Sequence, residues 1–186
     1  MTVEETLRDA EHKMKAAVSV TQEELASIRT GRANPKLLDR LTVEYYGTTV
    51  PINQLASFSV PEPRMLIVQP FDKSAIVGIE KAIMSSDLGL TPSNDGTVIR
   101  LAFPPLTEER RRDLTRLAKE RGEEGRVSVR NVRRHSKETL ERLEREHGIS
   151  EDELKRSERE LQRLTDQFVA EIDKILDHKE KELLEV

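Results

Sequence analysis

Four arginines, Arg126, Arg130, Arg133 and Arg134, stand within the ten residues RVSVRNVRRH of a 186-residue chain whose formal net charge is −4. A guanidinium forks onto phosphate oxygens, so a row of arginines without acidic neighbours is chemistry suited to a polyanion. From residue 110 to 134 there are ten Lys or Arg against four acids, a local net of +6, whereas residues 148–186 carry seven against twelve. Charge is segregated along the chain. Charge runs on long helices are ordinarily solvated faces held by i,i+4 ion pairs. Here Arg126, Arg130 and the adjacent Arg133 and Arg134 find no acid at the pairing positions within RVSVRNVRR before Glu138. No aromatic interleaves with the row, which argues against stacking on single-stranded bases and for recognition of the shape and backbone of a structured RNA.

Other chemistry is thin. His12, His135, His147 and His178 lie far apart, with no i,i+4 pair of the kind that binds zinc on a helix. The chain has no cysteine, so neither a thiolate metal site nor a disulfide framework is available. Neither a Gly-rich loop followed by Lys and Ser or Thr nor a nucleophile elbow is found. We therefore expect no metal, no cofactor and no catalytic residue: the protein is not an enzyme.

The elements that must position the arginines follow from periodicity. Only 35% of residues are hydrophobic and 3% aromatic, while 35% are charged, a composition that favours long amphipathic helices over a large globular core. Val3, Leu7, Ala10, Met14, Ala17, Thr21, Leu25 and Ile28 recur at steps of three and four, with Thr2 and Glu5 as a capping box and an expected stop near TGRANP, at Gly31 and Pro35. From about Ala33 to Pro104 the texture changes to short β-branched and aromatic runs, LTVEYY, TTVPI, SFSV, RMLIVQP and TVIRLAF. Between them, DKSAIVGIEKAIMSS has helical spacing, with Asp72 or Ser74 as its cap. Tyr45 and Tyr46 are expected to pack in the core and sheet.

Helical texture returns after FPPLTEERRRDL, with Thr107 as N-cap, and runs to His147, where Gly148 can end the helix and Ser150 with Glu153 can cap the next. Leu154, Leu161, Leu164, Phe168, Ile172, Ile175 and Leu183 then carry an apolar stripe. The reading is an α+β protein: an elongated three-helix bundle from residues 1–30 and 106–186, with a small β/α/β domain, residues 31–105, inserted into it. On an ideal helix stepped from Leu114, Leu117, Ala118, Gly125, Val132 and Leu143 share the packed face, while Arg112, Arg116, Lys119, Arg126, Arg130, Arg134 and Lys137 point away from it. His135 falls near the edge of the bundle. No run approaches the roughly 20 apolar residues of a membrane span, and the acidic start is not a signal peptide, so a cytoplasmic protein without a membrane partner is expected.

IRTGRANP at 28–35, VEYYGTTVPINQLA at 43–56, EKAIMSSDLGL at 80–90, PPLTEERRRDL at 104–114 and VRNVRRH at 129–135 together resemble the ribosome recycling factor family, in order and over essentially the whole chain. The resemblance implies an L-shaped molecule with the dimensions of a transfer RNA. It also implies a monomeric factor that, with elongation factor G and GTP hydrolysed by that partner, splits the post-termination ribosome into subunits and frees it from mRNA. Carried over by motif, Arg29, Arg32, Arg130, Arg133 and Arg134 are expected on large-subunit ribosomal RNA at the subunit interface, and the stripe adds Arg126. Thr30, Gly31 and Arg32 match one hinge strand, and Pro104, Pro105 and Leu106 the other. Where many members read RRDAN, this chain reads RRHSK, so His135 and Lys137 remove an acid and add a base. The alternative, from another class, is a helical coiled-coil scaffold that binds acidic protein partners through the same stripe.

Overall fold

A chain so poor in aromatics builds its cores from aliphatic stripes, and the computed structural model, which describes residues 1–185, shows where those stripes go. In chain order the elements are α1 (Val3–Ala26), β1 (Thr42–Tyr45), β2 (Thr48–Pro51), β3 (Ala56–Glu62), β4 (Met65–Pro70), α2 (Ile76–Met84), β5 (Pro92–Asn94), β6 (Ile99–Ala102), α3 (Glu108–Arg145) and α4 (Glu151–Leu184). They fall into two compact units, Met1–Arg29 with the chain from Glu108 onward, and Thr30–Thr107.

In the first unit α1, α3 and α4 pack on one another around Ala10, Met14, Val18, Val129, Leu140, Leu161, Leu164, Phe168 and Ile172. The capping box at the start of α1 is complete: the Thr2 hydroxyl accepts from the Glu5 amide, and the Glu5 carboxylate accepts from the Thr2 amide. Ser150 likewise accepts from the Glu153 amide at the start of α4. At 38 residues α3 is about 57 Å long. Two of its buried positions are glycines, and their hydrogens are what let the helices close. A side-chain carbon on Gly125 would overlap the Thr21 hydroxyl of α1, and one on Gly122 would come within 2.8 Å of Leu176 Cδ2 on α4.

Two helix ends differ from expectation. α1 ends at Ala26, several residues before Gly31, with the Ser27 hydroxyl donating back to the Glu24 carbonyl. At the end of α3 it is His147, not Gly148, that takes the left-handed conformation (φ 57°). His147 N–H donates to the Glu144 carbonyl and Gly148 N–H to the Leu143 carbonyl, the paired bonds of a Schellman motif. Gly148 is needed for closeness instead, because a Cβ there would lie 3.2 Å from the Leu143 carbonyl oxygen.

In the second unit β1 and β2 form a hairpin, and β3, β4, β6 and β5 form a four-stranded antiparallel sheet in that order. Leu38, Val43, Ile52, Leu66, Val68, Ile79, Ile83, Ile99 and Leu101 fill its core. The strand β5 carries no β-branched run and is the one the sequence reading omits; pairing with β6 makes it a strand. The hairpin turns at Tyr46 and Gly47, both at positive φ (48° and 77°), the geometry of a type I′ turn. That turn overrides the expectation of packing for Tyr46, whose side chain is left exposed. Its ring stacks edge-on against Tyr45, and its hydroxyl lies 3.1 Å from Ser74 Oγ. Tyr45 donates to Asp72 at 2.6 Å, and Asp72 also accepts from the Ser74 amide, capping the turn that leads into α2.

Candidate nucleic-acid interface

The packed face of α3 is spent on the bundle: Leu114, Ala118, Gly122, Gly125, Val129, Ser136 and Leu140 are buried, and Leu117, Val132 and Leu143 partly so. Arg112, Arg116, Lys119, Arg130, Arg133, Arg134 and Lys137 are therefore left exposed. The helix sets their direction, because its inward stripe has no room for charge.

The arginines of RVSVRNVRR are not equivalent, and here the expectation of an unpaired row needs correction. Arg126 is half-buried and crosses from α3 to α4, its Nε donating to Asp173 Oδ1 at 2.6 Å, while its Nη1 donates to Glu123 at 3.0 Å. Burial pulls its pKa down, but the bonds to Asp173 and Glu123 outweigh that and leave it above the ordinary guanidinium value. Arg130 reaches the other oxygen of Glu123 at 3.4 Å. Glu123 precedes the block at i−3 and i−7, and Asp173 is 47 residues away on another helix, so a search within RVSVRNVRR finds neither. Arg133 donates to Gln162 Oε1 on α4 at 2.9 Å. Among the described residues Arg134 makes no hydrogen bond or ion pair.

His135 is exposed rather than packed at the bundle edge, its side chain 71% accessible and Nδ1 3.7 Å from Glu138. Arg29 closes the first stretch of the helical unit and Arg32 lies in the other unit; both are exposed and both have partners within the protein. Thr30, Gly31, Pro104, Pro105 and Leu106 all belong to the second unit, where the two strands of chain run side by side. Gly31 has φ +76°, and a Cβ there would meet Leu106 Cγ at 3.3 Å and the Pro104 carbonyl oxygen at 3.5 Å. Among the described residues no group of three or more His, Asp or Glu is placed to hold a metal ion, and no helix is long and apolar enough to cross a membrane.

A positively charged, aromatic-free helix face of this kind is suited to contacts with a phosphate backbone. Known proteins share the sequence and the scaffold that carry this face. A family model described as ribosome recycling factor matches residues 21–184. The ribosome-recycling factors of Acidothermus cellulolyticus and Thermobifida fusca are 53% and 56% identical over 184 residues, 99% of this chain and 100% of each relative. Among solved structures, a solution structure of the ribosome recycling factor aligns with a TM-score of 0.79 at 48% identity, covering 100% of this chain and 99% of the other. A further match, 49% identical with a TM-score of 0.67 and full coverage of both chains, comes from models for the T. thermophilus ribosome recycling factor and the E. coli elongation factor G bound to the E. coli post-termination complex.

Proposed function

The chain belongs to the ribosome recycling factor family, and from that premise we propose that it grips ribosomal RNA through α3 while elongation factor G and GTP drive the post-termination ribosome apart into subunits. It is a translation factor and not an enzyme. GTP hydrolysis belongs to the partner, and the factor contributes by differential binding, favouring a ribosome state in which intersubunit contacts are weakened. The observation that carries the RNA grip is the exposure of Arg130, Arg133 and Arg134 on one helix whose opposite face is wholly taken up by packing.

Arg29 and Arg32 are assigned to the same large-subunit RNA. Arg126 takes a secondary part in that grip, because its donors are already engaged by Asp173 and Glu123. Thr30, Gly31, Arg32, Pro104, Pro105 and Leu106 form the hinge strands: two prolines restrain one strand while Gly31, at a φ that disfavours side chains, holds the other in its turn. The helical unit, Met1–Arg29 with the chain from Glu108, then anchors, and the unit Thr30–Thr107 is the part the GTPase displaces, in the cytoplasm where ribosomes are recycled.

Light scattering from post-termination ribosomes, mixed with this protein, elongation factor G and GTP, tests the reading. Wild type lowers the scattering as subunits separate, and Arg133→Ala, binding weakly, does not. No change with a matched elongation factor G would overturn it and return the chain to the scaffold class.

A further inference from the structure

The basic surface does not stop at α3. A groove of about 360 Å³ runs between α3 and α4, lined by Arg133 and Lys137 on one side and by Lys155, Arg159 and Gln162 on the other, with Glu158 the acid in its lining. Lys155 and Arg159 are four residues apart and so lie on the same side of α4, although that helix belongs to the acidic end of the chain.

The ion pairs around the groove are weak and exchangeable. Lys137 stands 3.7 Å from both Glu141 and Glu158, and Lys155 pairs with Glu151 at 2.8 Å on an exposed turn. Pairs of this kind contribute at most about 1 kcal/mol and are screened by salt. Arg159 makes no hydrogen bond or ion pair among the described residues. Arg133, by contrast, is aimed. Gln162 accepts from its Nη1 at 2.9 Å, and the Gln162 amide nitrogen donates to Asp166 at 2.8 Å, which fixes the orientation of that amide. Only one of the five guanidinium N–H donors is used in this way, leaving the rest for a ligand.

We propose that this groove is a phosphate subsite in its own right, where Arg133, Lys155 and Arg159 hold a backbone phosphate of structured RNA from two helices and Gln162 acts as a positioning residue for Arg133. The proposal rests on the reading of α3 as an RNA face and extends that face to α4. A concavity with donors on both walls fixes a phosphate in place, whereas a row on one helix fixes only a direction. No aromatic side chain lines the groove, and the apolar residue at its floor, Leu161, belongs to the bundle core, so base stacking has no part in it.

The test is binding of the full chain to purified large ribosomal subunits over a range of salt concentrations. Lys155→Gln and Arg159→Gln should each weaken binding about fivefold to tenfold near 0.1 M salt and lower the salt slope by about one. Gln162→Ala should weaken binding with the slope unchanged, because it removes orientation and no charge. Lys174→Gln, the same loss of charge about 22 Å further along α4, is the control and should leave the slope at its wild-type value. If wild type itself fails to bind, the RNA reading of α3 falls. If wild type binds and the Lys155 and Arg159 variants behave like the Lys174 control, the subsite alone falls. Polyglutamate competing as well as ribosomal RNA would also overturn the proposal, marking the groove as a site for acidic protein.

Discussion

Arg126 of α3 and Asp173 of α4 are joined by a 2.6 Å hydrogen bond that ties the two helices together at the margin of the basic face. With its side chain only 21% accessible, Arg126 serves the bundle before it serves any ligand. Arg126→Ala should cost about 1 kcal/mol in urea unfolding, since Asp173 stays hydrated once its partner is gone. Its effect on the salt slope of ribosome binding should be smaller than that of Arg134→Ala, whose guanidinium has no partner to lose. Equal slopes for the two variants would contradict this division of labour.

At Gly125 the Thr21 side chain of α1 presses directly against the backbone of α3. Alanine is the better helix former by about 1 kcal/mol, but its methyl group would overlap the Thr21 hydroxyl and crowd Ile172 Cδ1, which lies 3.2 Å from the Cβ position. Overpacking of a buried site costs about 1–3 kcal/mol, so Gly125→Ala should be destabilising. The clash has a named partner, which gives it a second readout. In a Thr21→Ala background the same substitution should cost distinctly less, and a double-mutant cycle by thermal unfolding measures the coupling. Additive effects would show that Thr21 is not what the methyl group meets.

Gly31→Pro tests the hinge. Proline holds φ near −65°, whereas Gly31 sits at +76°, so this strand of chain must be rebuilt while α3 and its arginines keep their places. Subunit splitting with elongation factor G should fall by about tenfold or more, and binding to the large subunit should change by less than about threefold, within roughly 0.7 kcal/mol. Full splitting activity in this variant would remove the hinge assignment.

The Tyr45 and Asp72 pair makes the second unit sensitive to pH in a defined direction. The hydrogen bond from Tyr45, with a second from the Ser74 amide, holds the Asp72 carboxyl below its ordinary range, and the bond to Asp72 raises the Tyr45 hydroxyl. The stabilisation from Asp72 is thus present above the unfolded carboxylate value of about 3.9 and is lost as pH falls through its depressed pKa. That from Tyr45 is present below about 10 and is lost as pH rises through its raised pKa. Tyr45→Phe should therefore be most costly between about pH 5 and 9, with the gap to wild type closing on both sides. Titration of the Asp72 carboxyl carbon by NMR should show its midpoint rising in the variant, and an unmoved midpoint would refute the pairing.

Much of the architecture was legible in the sequence because its signals are local. A stripe at steps of three and four marks each long helix, and the change to β-branched runs between Ala33 and Pro104 marks the inserted module. The outward direction of Arg130 and Arg134 follows from the same 3.6-residue repeat that buries Val129 and Leu140. Tertiary structure decided what depends on a second element. Arg126 is engaged because Asp173 arrives from another helix, and Arg133 is aimed because Gln162 does. Lys155 and Arg159 join the basic face only because α4 packs beside α3, and Gly122 and Gly125 become necessary only where Leu176 and Thr21 press against them. Periodicity reports which way a side chain points along its own helix. It carries no information about which residue stands opposite, and that pairing separates the arginines used to hold the fold from those left facing solvent.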